Sequence, residues 1–175
     1  LIIPEMEIFD SINGYDTHNT IKSLTYMKLR YIKLDTETNG TLANFLTKVK
    51  AFQYQIKNKI KYMCLIEDDL VIKEDFKKFI ENNLHLLKNH NMLRLSDWGE
   101  GYVTSLNGAI KIVEYIYKLG IISNIDNQLR NNCGREKKLD NTPWELVVET
   151  NKGDCLKTEK ISENEKIQLQ KKTII

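Results

Sequence analysis

Leu42, Phe45, Leu46, Val49, Phe52 and Ile56 recur at three- and four-residue spacing. This stripe predicts a helix from Thr41 to about Asn58, with Thr41 as its cap. A short apolar run, Tyr62-Met63-Cys64-Leu65-Ile66, follows a polar Lys-Asn-Lys stretch and reads as a buried strand. It runs into Glu67-Asp68-Asp69 and then Leu70-Val71-Ile72. Phe76, Phe79, Ile80, Leu84 and Leu87 mark a second amphipathic helix over about 74–87, and Ile110, Val113, Ile116 and Tyr117 a third over about 107–118, ended by Gly120.

Met92-Leu93-Arg94-Leu95 reads as a strand, Gly101–Thr104 as a short strand or turn, and the stretch near 124–130 as a short helix. Ile8-Phe9 suggests an early strand, and Pro143–Val148 a late one. The segment 17–40 gives mixed signals. Leu24, Met27 and Tyr31 have helical spacing, while Tyr31–Leu34 alternates as a strand does. The final fifteen or so residues are rich in Lys, Glu and Gln and suit a peripheral helix or a frayed tail. Helices alternating with strands predict an α/β fold with a largely parallel sheet, whose ligands bind beyond the carboxyl ends of the strands. Residues 1–156 are expected to form this domain, and 157–175 a polar C-terminal extension.

Composition changes this picture little. The 175 residues are 41% apolar and 29% charged, with a net charge of only +2, so nothing favours a nucleic-acid partner. Cys64, Cys133 and Cys155 include no CxxC pair; Cys64 reads as a buried thiol, and a reducing, cytoplasmic setting is expected. No apolar stretch is long enough to span a bilayer, and no signal peptide is visible. Glycine-rich phosphate loops and a GxSxG elbow are absent, and His18, His85 and His90 lack zinc-site spacing.

The acidic triplet carries the most chemistry. Carboxylates cost several kcal/mol to bury unless paired, protonated or metal-bound. Glu67 and Asp69, at alternate positions, face one way and Asp68 the other. Either they hold Mg²⁺ or Mn²⁺, with a phosphate on the metal, or they form a solvated turn that caps the next helix. Asp97 precedes Trp98-Gly99-Glu100-Gly101, where Trp98 either stacks on a sugar or base or packs over the sheet edge. Asp126, at a helix start, has a structural reading as well as a chemical one. Trp144 reads as core.

Three blocks, in order, resemble glycosyltransferase family 25, the lipooligosaccharide and procollagen galactosyltransferase group. The first is Ile8-Phe9-Asp10-Ser11-Ile12-Asn13-Gly14, similar to an "F-x-A-[VI]-x-G" pattern. The second is Gly40–Leu46 with its helix and the strand ending in Glu67-Asp68-Asp69. The third is Gly101-Tyr102-Val103-Thr104-Ser105-Leu106-Asn107-Gly108-Ala109, followed later by Ile125-Asp126. The chain departs from the family in having Leu46-Thr47 where a Ser-His pair is usual. It also opens almost at the family's second strand, so the first strand is expected to be missing and another copy to cover the open position.

The resemblance implies a GT-A-like, Rossmann-like, mostly parallel sheet and transfer of a hexose from a UDP-sugar, with inversion, to a glycan, lipooligosaccharide or protein hydroxyl. It implies Mn²⁺ or Mg²⁺ on Asp69, Asp68 and Glu67. Donor contacts fall to Glu67, Asp68, Tyr102 and Trp98, and the base or acceptor-binding role to Asp126 or Asp97. The two departures imply weakened or absent transfer unless the missing piece comes from elsewhere. The alternative is a non-catalytic or degenerate relative with a binding or assembly role.

Overall fold

The structure, a computed structural model, describes residues 8–32, 38–67, 70–97, 99–132, 136–146 and 172–174. Asp68, Asp69, Trp98, Cys133, Cys155, Leu34, Val147 and Val148 lie outside the described residues.

Helix α2 (Asn39–Lys57) is the centre of the fold and forms as the apolar spacing predicts. Its cap is Thr38 rather than Thr41: Thr38 has extended backbone, and its Oγ1 accepts the Thr41 N–H at 3.3 Å. Helix α1 (Thr17–Tyr26) resolves the mixed 17–40 signal, with Asp16 Oδ1 accepting from the Asn19 N–H at 2.9 Å. Beyond it Tyr31 makes an isolated parallel bridge to Ile121. Helix α3 (Phe76–Asn83) continues into a 3-10 turn, Leu84–Lys88. Helix α4 (Leu106–Leu119) starts at Ser105, whose Oγ accepts from the Gly108 N–H at 3.1 Å, and ends at Gly120 with φ 80°. Helix α5 spans Ile125–Asn132.

The strands are β1 (Ile8–Asp10), β2 (Tyr62–Ile66), β3 (Leu70–Ile72), β4 (Met92–Arg94), β5 (Gly101–Ser105), β6 (Glu136–Lys138), β7 (Trp144–Leu146) and β8 (Lys172–Ile174). The main sheet has the order β1-β8-β2-β5-β4-β6, and β3 pairs with β7 in a separate ribbon. Among the described strands of this sheet only the β4–β6 pair is parallel; β1–β8, β8–β2, β2–β5 and β5–β4 are antiparallel. The mostly parallel GT-A sheet expected from the element order is therefore incorrect: the sheet is mixed and mostly antiparallel.

The physical reason lies in one connection. Residues 95–100 join β4 to β5, and six residues cannot make the crossover of a dozen or more that parallel neighbours need. Strand β5 therefore turns back and inserts between β4 and β2. Strands β2, β4 and β6 do run in one direction, as their intervening helices require, but β5 separates β2 from β4.

Alternation along the strands feeds two cores. Met63, Leu65, Met92 and Tyr102 pack with α2, α4 and α5. Ile66, Leu93, Leu95 and Val103 pack on the other face with Phe76, Ile80 and Leu87. Trp144 joins this second cluster from a half-buried position, stacked on Phe76 at 5.9 Å. Among the described residues no helix is long and apolar enough to cross a membrane.

Candidate functional site

Helix α2 buries three polar side chains among its apolar ones. Gln55 Oε1 accepts from Thr104 Oγ1 at 2.7 Å, tying the helix to β5. Thr47 Oγ1 accepts the Ile12 N–H at 2.9 Å, fixing the chain after β1. Lys48, with 3% of its side chain exposed, reaches the end of the sheet. Its Nζ lies 2.9 Å from Glu67 Oε1 and 2.9 Å from Asp126 Oδ1, and donates to the Gly99 carbonyl at 3.0 Å. Those three contacts use all three donors of an ammonium.

Each partner comes from a different element. Glu67 follows β2, held by its N–H to the Glu100 carbonyl at 2.9 Å. Asn44, one helical turn before Lys48, donates to Glu67 Oε1 at 3.4 Å. Asp126 sits in the first turn of α5. The buried Tyr102 of β5 donates its hydroxyl to Asp126 Oδ1, and its ring centre lies 5.1 Å from Lys48 Nζ. Gly99 has φ 92°, and a Cβ there would overlap the Asp126 carboxylate and the Tyr102 hydroxyl. The loop is braced by Ser96 Oγ, which donates to Glu100 and accepts the Gly99 N–H at 3.0 Å.

The charges follow from this geometry. Burial by itself would lower the Lys48 pKa, but the carboxylates of Glu67 and Asp126 outweigh it and hold it above the ordinary lysine value. Burial, and then the Asp126 carboxylate, pushes the Tyr102 phenol well above the usual tyrosine range. At neutral pH Lys48 is thus an ammonium and Tyr102 a neutral phenol donor. The carboxylates are 28% and 27% exposed and meet water at the rim. All the bonds described fall on Oε1 of Glu67 and Oδ1 of Asp126.

Glu67, Tyr102 and Asp126 are therefore together. Asp97 is apart from them: 62% exposed, its Oδ2 accepts from Lys138 Nζ at 2.7 Å, which with Arg94 and Arg130 holds its carboxyl below the usual carboxylate range. The Asp97 carbonyl accepts from Arg94 at 3.0 Å and from Arg130. Among the described residues no group of three or more His, Cys, Asp or Glu is placed to hold a metal ion.

Lys48 is the residue that sequence reasoning missed. The signal was present: Lys48 stands three residues after Phe45 and four before Phe52, inside the apolar stripe. The polar pair of that helical turn is Thr47-Lys48, one position on from Leu46-Thr47.

Among curated proteins none matches the chain. The family model described as glycosyltransferase family 25 (LPS biosynthesis protein) matches residues 3–110, more than half of the chain. That span contains β1, α2, β2, β5 and Lys48, Glu67 and Tyr102, while Asp126 follows it. The chain belongs to glycosyltransferase family 25.

Proposed function

We propose that this family 25 chain is a non-catalytic, binding relative whose site takes vicinal hydroxyls of a sugar or a sugar nucleotide. The observation that carries this is the ammonium of Lys48, 2.9 Å from both Glu67 and Asp126. It stands where a cation bridging the two carboxylates would have to stand. A dication about 4 Å from an ammonium is repelled by roughly 8 kcal/mol at an effective dielectric of about 20. Glu67 and Asp126 keep part of their side-chain surface in water, and carboxylates are good acceptors for paired sugar or ribose hydroxyls. Glu67 and Asp126 therefore do not fit a bridging Mn²⁺ or Mg²⁺ while Lys48 is charged.

A second reading, inverting hexose transfer from a nucleotide sugar, is favoured by the family and by the half-buried Asp126 at the sheet's end. In it Asp126 takes the proton of the acceptor hydroxyl, and Asp68 and Asp69 remain the candidates for metal contact.

Calorimetric titration with UDP-galactose and UDP-glucose, in EDTA and in Mn²⁺, tests the choice. Binding that does not need Mn²⁺, is lost in Asp126→Asn and releases no hexose is the expected result. Hexose release or transfer that requires Mn²⁺ overturns it in favour of the second reading.

A further inference from the structure

A cavity lies across α2 from Lys48. Lys48 and Lys50 are two residues apart, a rotation of about 200° on a helix of 3.6 residues per turn, so they leave opposite sides of α2. The groove on the Lys50 side has a volume of about 610 Å³, within the range of small-molecule sites. Its floor is apolar, formed by the buried Ile12 and Met27.

Its lining surface is mostly apolar too, but polar side chains stand among the apolar ones, where two packed helices normally meet through apolar side chains alone. Asn19, Lys22 and Tyr26 recur at three- and four-residue spacing, so one face of α1 presents an amide, an ammonium and an aromatic ring. Tyr26 is 85% exposed. From α2, Lys50 and Gln53 face them.

Both α2 groups are held in place. Lys50 Nζ donates to the Asp10 carbonyl at 2.9 Å and lies 4.8 Å from the Phe9 ring centre, which leaves two further N–H donors. Gln53 Nε2 donates to Tyr117 Oη at 2.9 Å, and Tyr117 donates to the Met27 carbonyl at 2.7 Å. This chain of bonds uses one N–H of the Gln53 amide and fixes the orientation of its oxygen as an acceptor. Pre-set polar groups of this kind bind at little ordering cost.

We propose that this groove binds an anionic saccharide. The Tyr26 ring offers a flat apolar surface to the C–H face of a sugar ring. Asn19 and Gln53 take its hydroxyls, and Lys22 and Lys50 take its carboxylate or phosphate. Neither Glu67 nor Asp126 takes part, so the inference stands apart from the function proposed above.

The test is amide-shift mapping on the ¹⁵N-labelled full chain, titrated separately with glucuronate, glucose 6-phosphate, glucose, acetate and inorganic phosphate. Saturable shifts at Asn19, Lys22 and Gln53 are expected with one or both anionic sugars. Glucose should bind about fivefold or more weakly, for loss of the charged contact. Tyr26→Ala, at a position too exposed to disturb folding, should weaken binding by roughly twofold to tenfold. The proposal is overturned if neither anionic sugar gives saturable shifts there. It is equally overturned if acetate or phosphate alone binds as well, or if Tyr26→Ala binds as tightly as the natural chain.

Discussion

Lys48 Nζ and Asp126 Oδ1 meet at 2.9 Å although 78 residues separate them in the chain. The same ammonium holds Glu67, so one buried side chain ties α2, the end of β2 and the start of α5 together. Replacing it removes a cation from two partly buried carboxylates. Lys48→Met should lower the unfolding free energy by about 3 kcal/mol, the low end for breaking a buried pair because both carboxylates keep some surface in water. Urea unfolding measures this, and a loss of only a few tenths of a kcal/mol would show that the pair is not formed.

The pH dependence follows from Lys48 and Tyr102 together. Both pKa values are raised in the folded state, so the folded chain holds these protons more tightly than the unfolded one. Their stabilisation is fully present below the unfolded values of 10.5 and 10.0 and is lost as pH rises through the folded values. Denaturant midpoints should therefore fall steeply above pH 10 or so in the natural chain. The fall should be shallower in Lys48→Met and in Tyr102→Phe. Parallel curves for all three proteins would contradict the site's charge state.

Gly99 is the next weak point. Its positive φ and its closeness to Asp126 and Tyr102 leave no room for a methyl group. Gly99→Ala should cost about 1–3 kcal/mol and should displace the carbonyl that Lys48 holds. Thermal unfolding reads the cost. Substitution at Gly40, where an added Cβ meets only Thr38 Oγ1 at 3.6 Å, is the matching control and should cost clearly less.

Cys64 is half-buried rather than the fully buried thiol expected from the sequence, and desolvation there pushes its thiol up to about 12. Its thiolate is therefore scarce at neutral pH, and alkylation should be far slower than for a free thiol. Iodoacetamide labelling at pH 8, followed by peptide mass mapping, should leave the Cys64 peptide unmodified in the native protein and modified in urea. Rapid native labelling of that peptide would show that β2 is open to solvent.

Much of the local structure was legible from side-chain spacing. The α2 stripe, the run ending at Ile66 and the α4 pattern each form the element their periodicity demands, because each buries one face. Strand direction was not legible, since period-two alternation is the same in parallel and antiparallel strands. The six residues between Arg94 and Gly101 held the answer, and alternation of element types outweighed them. Glu67, Tyr102 and Asp126, which the family resemblance singled out, come together in the fold around Lys48. Lys48 was hidden for a different reason. A lysine on a helix is ordinarily solvated, and its three partners arrive from residues 67, 99 and 126, which only the packed fold brings near it.

The place of β5 between β2 and β4 also sets an order of events during synthesis. Strand β2 leaves the ribosome with its mates unmade, since Ile66 pairs with Gly101, 35 residues further on. At ordinary translation speeds the stretch Met63-Cys64-Leu65-Ile66 waits roughly two to seven seconds for that partner. Strands β4 and β5 close on each other almost as soon as both emerge. The nascent chain thus carries a bare, sticky ribbon through most of that interval, and a holding chaperone would find its target there.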